Sequence, residues 1–195
     1  MTQMERADLD GVQLEYEIQG AGEPVILIHP GRFADWFAPL LNQPALTDHY
    51  RLVRYHRAGC AGSSRIAGAV SLAQQASQCR SLMDQLGIQR AHVVGHSSSG
   101  NIALQLALDA PETVHSLAFL EPALISVPST PTSRVFVGNA MQLYRAGDTA
   151  GAIDTFCAEP FVLPGATHLL QVQDLCGMAE GLAAFFVRHP LPVSA

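Results

Sequence analysis

Residues 93–100 read Val-Val-Gly-His-Ser-Ser-Ser-Gly, and this stretch decides the fold. An apolar, strand-like run at 91–95 passes straight into a helix-forming run at 101–110, with no loop between them. A strand that turns directly into a helix leaves the residue at the turn, here Ser97, at φ > 0 with its side chain pointing outward. Its neighbours two places away must then be small. Gly95 and Ser99 meet that demand. The N-terminus of the following helix offers free N–H groups and partial positive charge beside Ser97, which suits an oxyanion. The same short pattern also suits a serine-rich helix cap, so the rest of the chain has to separate the two.

Upstream, residues 12–18 alternate in strand fashion until Gly20 and Gly22 break the pattern, and 25–28 form a continuous apolar run typical of a strand covered on both faces. Residues 35–42 read as a short helix, and 51–55 as a strand that ends in the Gly-rich loop HRAGCAGSS at 56–64. Ser71 is placed to cap a helix running to about Leu86, with Gly87 as its stop. Downstream of Ser97 the helix is apolar nearly all round (Ile102, Ala103, Leu104, Leu106, Ala107, Leu108), which predicts burial, and Pro111 lies just past its end. Residues 115–120 form the next strand. Strands alternating with helices predict an α/β fold with a doubly wound, mostly parallel sheet. Residues 126–133, rich in Pro, Ser and Thr, mark a boundary. Two short helices at 135–144 and 150–157 follow, then a short strand at 161–163 and the loop PGATH. A last helix starts near Asp174, with Leu175, Met178, Ala179, Leu182, Phe185 and Phe186 on one face.

The 195 residues fit one domain, and 48% apolar with only 14% charged residues describes a globular chain with large buried surfaces. A net charge of −6 without any Lys/Arg run argues against a nucleic-acid partner or an anionic membrane. The acidic N-terminus lacks a signal-like apolar segment, and no stretch approaches the roughly 20 apolar residues of a membrane span. A cytoplasmic location is expected. Cys60, Cys79, Cys157 and Cys176 are scattered, without metal-ligand spacing, and are expected as free buried thiols. No cofactor or metal is implied.

The order strand, HPG loop (29–31), strand, RAGCAGSS loop, helix, VVGHSSSG turn, helix, strand and late LPGATH resembles the α/β-hydrolase superfamily over most of the chain. The resemblance implies a nucleophile at the turn, an acid on a later loop and a histidine after the last strand. A serine at position 97 sets the chain apart from the branches that use an aspartate there. Relatives usually carry a longer lid and a further strand–helix unit, so residues 1–195 are read as a single domain of reduced form. Within it, 127–157 would be a lid remnant, and the penultimate strand would be missing.

A serine hydroxyl needs a neighbouring base. Of eight histidines, His92 and His115 lie at strand starts, remote from where parallel sheets bind ligands, and His49 and His189 sit in polar or terminal segments. His29 and His56 open Gly-rich loops, and His96 should point away from the turn. His168 follows the final short strand and its Pro-Gly turn, where the resemblance places the general base. The oxyanion donors would be the backbone N–H of Ser98 and that of Gly31, with Arg32 as the alternative to Gly31; Pro30 has no N–H to give. Arg32 could also meet an anionic substrate. Glu121 directly follows strand 116–120 on the edge where Ser97 emerges, and some members of the superfamily take their acid from this loop. The expected reaction is cleavage of an ester or related acyl bond in a small-molecule substrate. A non-catalytic binding module, or a shortened relative without activity, is the alternative.

Overall fold

Residues 4–123 and 175–191, with Gln142 and Ala146, are described by the computed structural model. The proposed lid remnant apart from those two residues, the strand at 161–163, Cys157 and His168 lie outside the described residues. The chain divides into two compact units, 1–124 with 171–195 and 125–170, and the account below concerns the first.

Among the described residues, six strands form one sheet: β1 (Glu5–Leu9), β2 (Val12–Gln19), β3 (Glu23–Ile28), β4 (Tyr50–Tyr55), β5 (Ala91–His96) and β6 (Val114–Leu120). Their spatial order is β1-β2-β4-β3-β5-β6. The β1–β2 and β2–β4 pairs are antiparallel, and β4–β3, β3–β5 and β5–β6 are parallel. The mostly parallel α/β sheet expected from the alternation is therefore present. Strand β1 was not anticipated. Its signal was the Asp10-Gly11 pair, whose φ angles of 54° and 87° close a two-residue hairpin between Leu9 and Val12.

Alternation along β3 assigns its side chains to the two cores. Ile26 and Ile28 pack with Val53, Val93 and the helices α2 (Leu72–Gln85) and α3 (Ser99–Asp109), through Cys79, Leu82, Ile102 and Leu106. Val25 and Leu27 pack on the other face with Leu52, Val94, Leu40 and Leu46, and with Met178, Leu182 and Phe186 of the helix Leu175–Val187. A sheet covered on both faces needs apolar residues at both parities, which explains the continuous run at 25–28. Ser71 caps α2 in a full capping box with Gln74, and Gly87 beyond it has φ of 67°.

Three expectations need correction. Helix α3 is buried along Ile102, Ala103 and Leu106, but Leu104 and Leu108 are exposed, so it is covered on one face only. The helix predicted at 35–42 is instead a 3₁₀ turn over Ala38–Asn42 followed by one α turn, α1 (Pro44–Thr47). Pro39 and Pro44 remove the donors that a longer helix would need. The three described cysteines are free but not uniformly buried: Cys79 is buried, Cys60 is half-buried and Cys176 is exposed. Burial pushes the Cys79 thiol up to about 12, so it is inert at neutral pH.

The two strands that follow β3 in the sequence lie on opposite sides of it: β4 on one side, β5 on the other. The chain's winding direction reverses there. In open parallel sheets, ligands sit outside the carboxyl ends of the strands at such a reversal. Gly31 follows β3 and Ser97 follows β5, so both loops rise at that place.

Candidate active site

Strand β5 ends at His96, and Ser97 takes φ of 52°, the left-handed region that a non-glycine residue rarely occupies. The strain is held from three directions. Ser97 N–H donates to Leu120 O at 2.9 Å, Ala123 N–H donates to Ser97 O at 3.1 Å, and Gly100 N–H donates to the same oxygen at 3.1 Å. The loop after β6 is thus fastened to the turn. Close packing supplies the rest: a Cβ on Gly95 would lie 2.8 Å from Ser99 O, and one on Gly100 would lie 2.9 Å from Pro122 Cβ. Such an over-determined outlier is what a strained functional residue requires.

Ser99 is more than a small residue. Fully buried, its hydroxyl accepts from His96 N–H at 2.9 Å and lies 2.5 Å from Ile28 O and 2.8 Å from His96 O. With one proton to donate, it ties the end of β5 to the end of β3. A glycine there could not make that link.

Ser98 is exposed, and its backbone N–H gives no hydrogen bond to another described residue. Its hydroxyl accepts from Gly31 N–H at 3.0 Å. Gly31, at φ of 43°, therefore has its donor directed at the turn and already engaged, whereas the Arg32 N–H makes no bond within the described residues. Glu121 lies where expected, immediately after β6, in a left-handed conformation with φ of 44°. Its Oε2 is 3.6 Å from Nε2 of His96. The His96 ring is buried and stacks on Trp36, with ring centroids 4.9 Å apart and planes 21° apart. The structure thus brings Ser97, Ser98, Gly31 and Glu121 to one edge of the sheet. His168 is outside the described residues.

The other histidines have structural surroundings. His29 is buried, accepts from Arg57 N–H through Nε2 at 3.1 Å, and faces Pro30 O through Nδ1 at 3.3 Å. Burial, aided by the nearby Arg57 charge, holds its pKa down at about 3, so the ring is neutral. His56 lies between Glu15 and Asp35, 3.1 Å from each, beside Arg54, which bridges Asp35 and Glu17. At the opposite end of β5, His92 sits between Ser116 Oγ (2.7 Å from Nδ1) and Glu23 Oε2 (3.0 Å from Nε2). Sequence reasoning missed this cluster, because it depends on the pairing of His92 with Ser116 across β5 and β6.

The comparisons with known proteins bear on the family and the fold. Residues 24–175 match the model of the α/β hydrolase fold family. The chain belongs to that family. It is 41% identical over 119 residues to the dihydrolipoyllysine-residue acetyltransferase component of the acetoin cleaving system of Cupriavidus necator, covering 60% of this chain and 31% of that protein. It is 37% identical over 108 residues to RutD of Azorhizobium caulinodans, provisionally named a carbamate hydrolase, covering 55% and 40% of the two chains. It is 34% identical over 121 residues to a fluoroacetate dehalogenase of a Burkholderia species, covering 58% and 39%. The chain thus spans less than half the length of each of these relatives. Among solved structures, a hydrolase from Pseudomonas aeruginosa superposes with a TM-score of 0.67 at 24% identity, covering 96% of this chain and 68% of that one. A family protein from Burkholderia ambifaria gives 0.64 at 20% identity, covering 96% and 72%. At these identities the structural likeness concerns the fold. Among the described residues, no helix is long and apolar enough to cross a membrane.

Proposed function

We propose that the protein is a serine hydrolase that cleaves an ester or related acyl bond in a small molecule. One observation carries the reading: Ser97 is held at φ of 52° on a strand-to-helix turn, by packing that leaves no room for a Cβ at Gly95 or Gly100. In this reading Ser97 Oγ attacks the acyl carbon and gives its proton to His168. The carbonyl oxygen becomes an oxyanion, which accepts from the N–H of Ser98 and from an N–H of the loop after β3. His168 then delivers the proton to the leaving group, and water repeats the sequence to release the acid. Glu121 orients His168 and stabilises its charged form. For Gly31 to serve as the second donor, Ser98 Oγ has to release its N–H when substrate binds; the Arg32 N–H is open without that step. A carbamate, the substrate class in the name of one relative, is an acyl derivative that the same groups would cleave.

The test is covalent labelling with a fluorophosphonate, joined to turnover of a p-nitrophenyl ester. Labelling is expected in the wild type and absent in Ser97→Ala. Glu121→Gln should lower kcat by up to about 10⁴ while Ser97 still labels, more slowly. A folded wild-type chain that neither labels nor turns over would overturn the hydrolase in favour of a binding module.

A further inference from the structure

The loop that presents Gly31 to the turn has another side. While Gly31 N–H points to Ser98 Oγ, Gly31 O accepts from Nη2 of Arg57. Beyond it lies a cavity of about 350 Å³, bounded by Gly31, Arg32, Arg57, Cys60, Arg65 and Gln75 among others. The chain contains no lysine, and all eleven of its basic residues are arginines. Three of the eleven line this one cavity, in a chain of net charge −6, and among the described residues no carboxylate lines it.

Arg54 and Arg57 show how unusual that is. Arg54 is buried between the carboxylates of Glu17 and Asp35. Arg57, three residues on and nine-tenths buried, has only neutral acceptors: Gln75 Oε1 at 2.6 Å and Gly31 O. Its buried Nε has no hydrogen-bond partner among the described residues. Burial pulls the Arg57 pKa below the usual arginine range, and the neighbouring Arg32 charge adds to that fall. Arg32 and Arg65 are exposed, and the fork of a guanidinium matches the paired oxygens of a carboxylate or phosphate. Among the described residues, Arg57 is a buried cation with no counter-charge beside two exposed ones, a site one anion short of balance.

We propose that this cavity is an anion subsite, which takes the terminal carboxylate or phosphate of a substrate whose acyl carbon reaches Ser97. The proposal rests on the hydrolase reading for its substrate half only. Gly31 would couple the two places, since its N–H meets Ser98 and its C=O meets Arg57.

Two measurements on the full chain test it. In calorimetry at low salt, succinate and inorganic phosphate are titrated separately, so that the two anion chemistries are told apart. Binding of at least one of them, weakening as salt rises, is expected. Charge-assisted contacts of this kind should make it at least about ten-fold weaker in Arg32→Gln/Arg65→Gln, and unchanged in Arg90→Gln, an exposed arginine away from the cavity. No binding of either anion, or equal binding by the double variant, overturns the subsite. In the second measurement, a fluorophosphonate with a terminal carboxylate should label Ser97 at least about ten-fold faster than a neutral one of equal length, and the double variant should lose that ratio. Equal rates in the wild type overturn the link to substrate. If neither probe labels a chain that still binds the anion, the hydrolase reading fails and the anion site stands.

Discussion

At its N-terminal end, β5 places His92 between a serine hydroxyl and a carboxylate; at its C-terminal end, it delivers Ser97 into a strained turn. By residue type the first looks more like a catalytic relay. His92 Nε2–H donates to Glu23, which leaves Nδ1 to accept the proton of Ser116, the protonation pattern of a working triad. What it lacks is everything around those three groups. The His92 ring has no exposure and packs against Phe186, His115 and Tyr50. Ser116 lies within strand β6, opposite His92 of β5, with none of the positive φ that sets Ser97 apart and with no helix N-terminus following it to supply donors for an oxyanion. The Ser97 end has the opposite character: a half-buried hydroxyl, a helix N-terminus with an open N–H, and backbone strain imposed by its neighbours. A serine–histidine–carboxylate contact can be plain structural glue, and the conformation around the serine separates the two cases.

The most damaging test of that contrast is a pair of substitutions. Ser97→Ala should lower ester turnover by at least about 10³, with little change in stability, whereas Ser116→Ala should leave turnover within about two-fold. Loss of turnover in Ser116→Ala, with Ser97→Ala active, would reverse the assignment.

The strain at the C-terminal end depends on close backbone packing, and Gly95→Ala attacks it directly. The added Cβ would meet Ser99 O at 2.8 Å and Gly100 N and Cα at 2.9 Å, all backbone atoms that cannot rotate away. A destabilisation of about 3 kcal/mol is expected, read as a lower urea midpoint at unchanged m.

Acid should weaken both ends together. His29, near the C-terminal edge, is held at about 3, and burial also lowers His92 below the usual histidine range despite Glu23. Unfolding returns both rings to about 6.5, so below that pH the unfolded chain binds protons that the folded chain refuses. Stability is therefore fully present above about pH 6.5 and is lost as pH falls towards 3. The His29 contribution is on the order of 2 kcal/mol by pH 5. A flat stability profile between pH 6.5 and 5 would show that the two rings are not held neutral.

The contrast also marks what could be read in advance. The turn at Ser97, the capped helix α2 and the apolar face of the last helix were legible, because each is written in adjacent residues or a helical period; the burial expected all round α3 holds only along Ile102, Ala103 and Leu106. Strand β1 escaped because Glu5 and Arg6 are exposed, so the segment shows little apolar pattern. The His92 cluster and the engagement of Gly31 with Ser98 rest on contacts 24 to 69 residues apart in sequence. No local pattern encodes them. The same holds for the arginine-lined cavity: its arginines are visible in the sequence, and the missing carboxylate is visible only in space.

The smallest effect isolates the strain itself. Ser97→Ala and Ser97→Gly both remove the hydroxyl, so their difference in stability reports the backbone alone. A left-handed conformation costs a non-glycine residue about 1–2 kcal/mol, and alanine keeps that cost. Glycine escapes it but loses about 0.5–1 kcal/mol more conformational freedom on folding. Ser97→Gly should then exceed Ser97→Ala by about 0.5–1 kcal/mol in urea denaturation, though neither turns over substrate. The same comparison at Ser116, in an ordinary extended strand, should have the opposite sign, because glycine there loses entropy with no strain to relieve. If both positions favoured alanine, Ser97 would be unstrained, and the conformational argument for its role as nucleophile would fall with it.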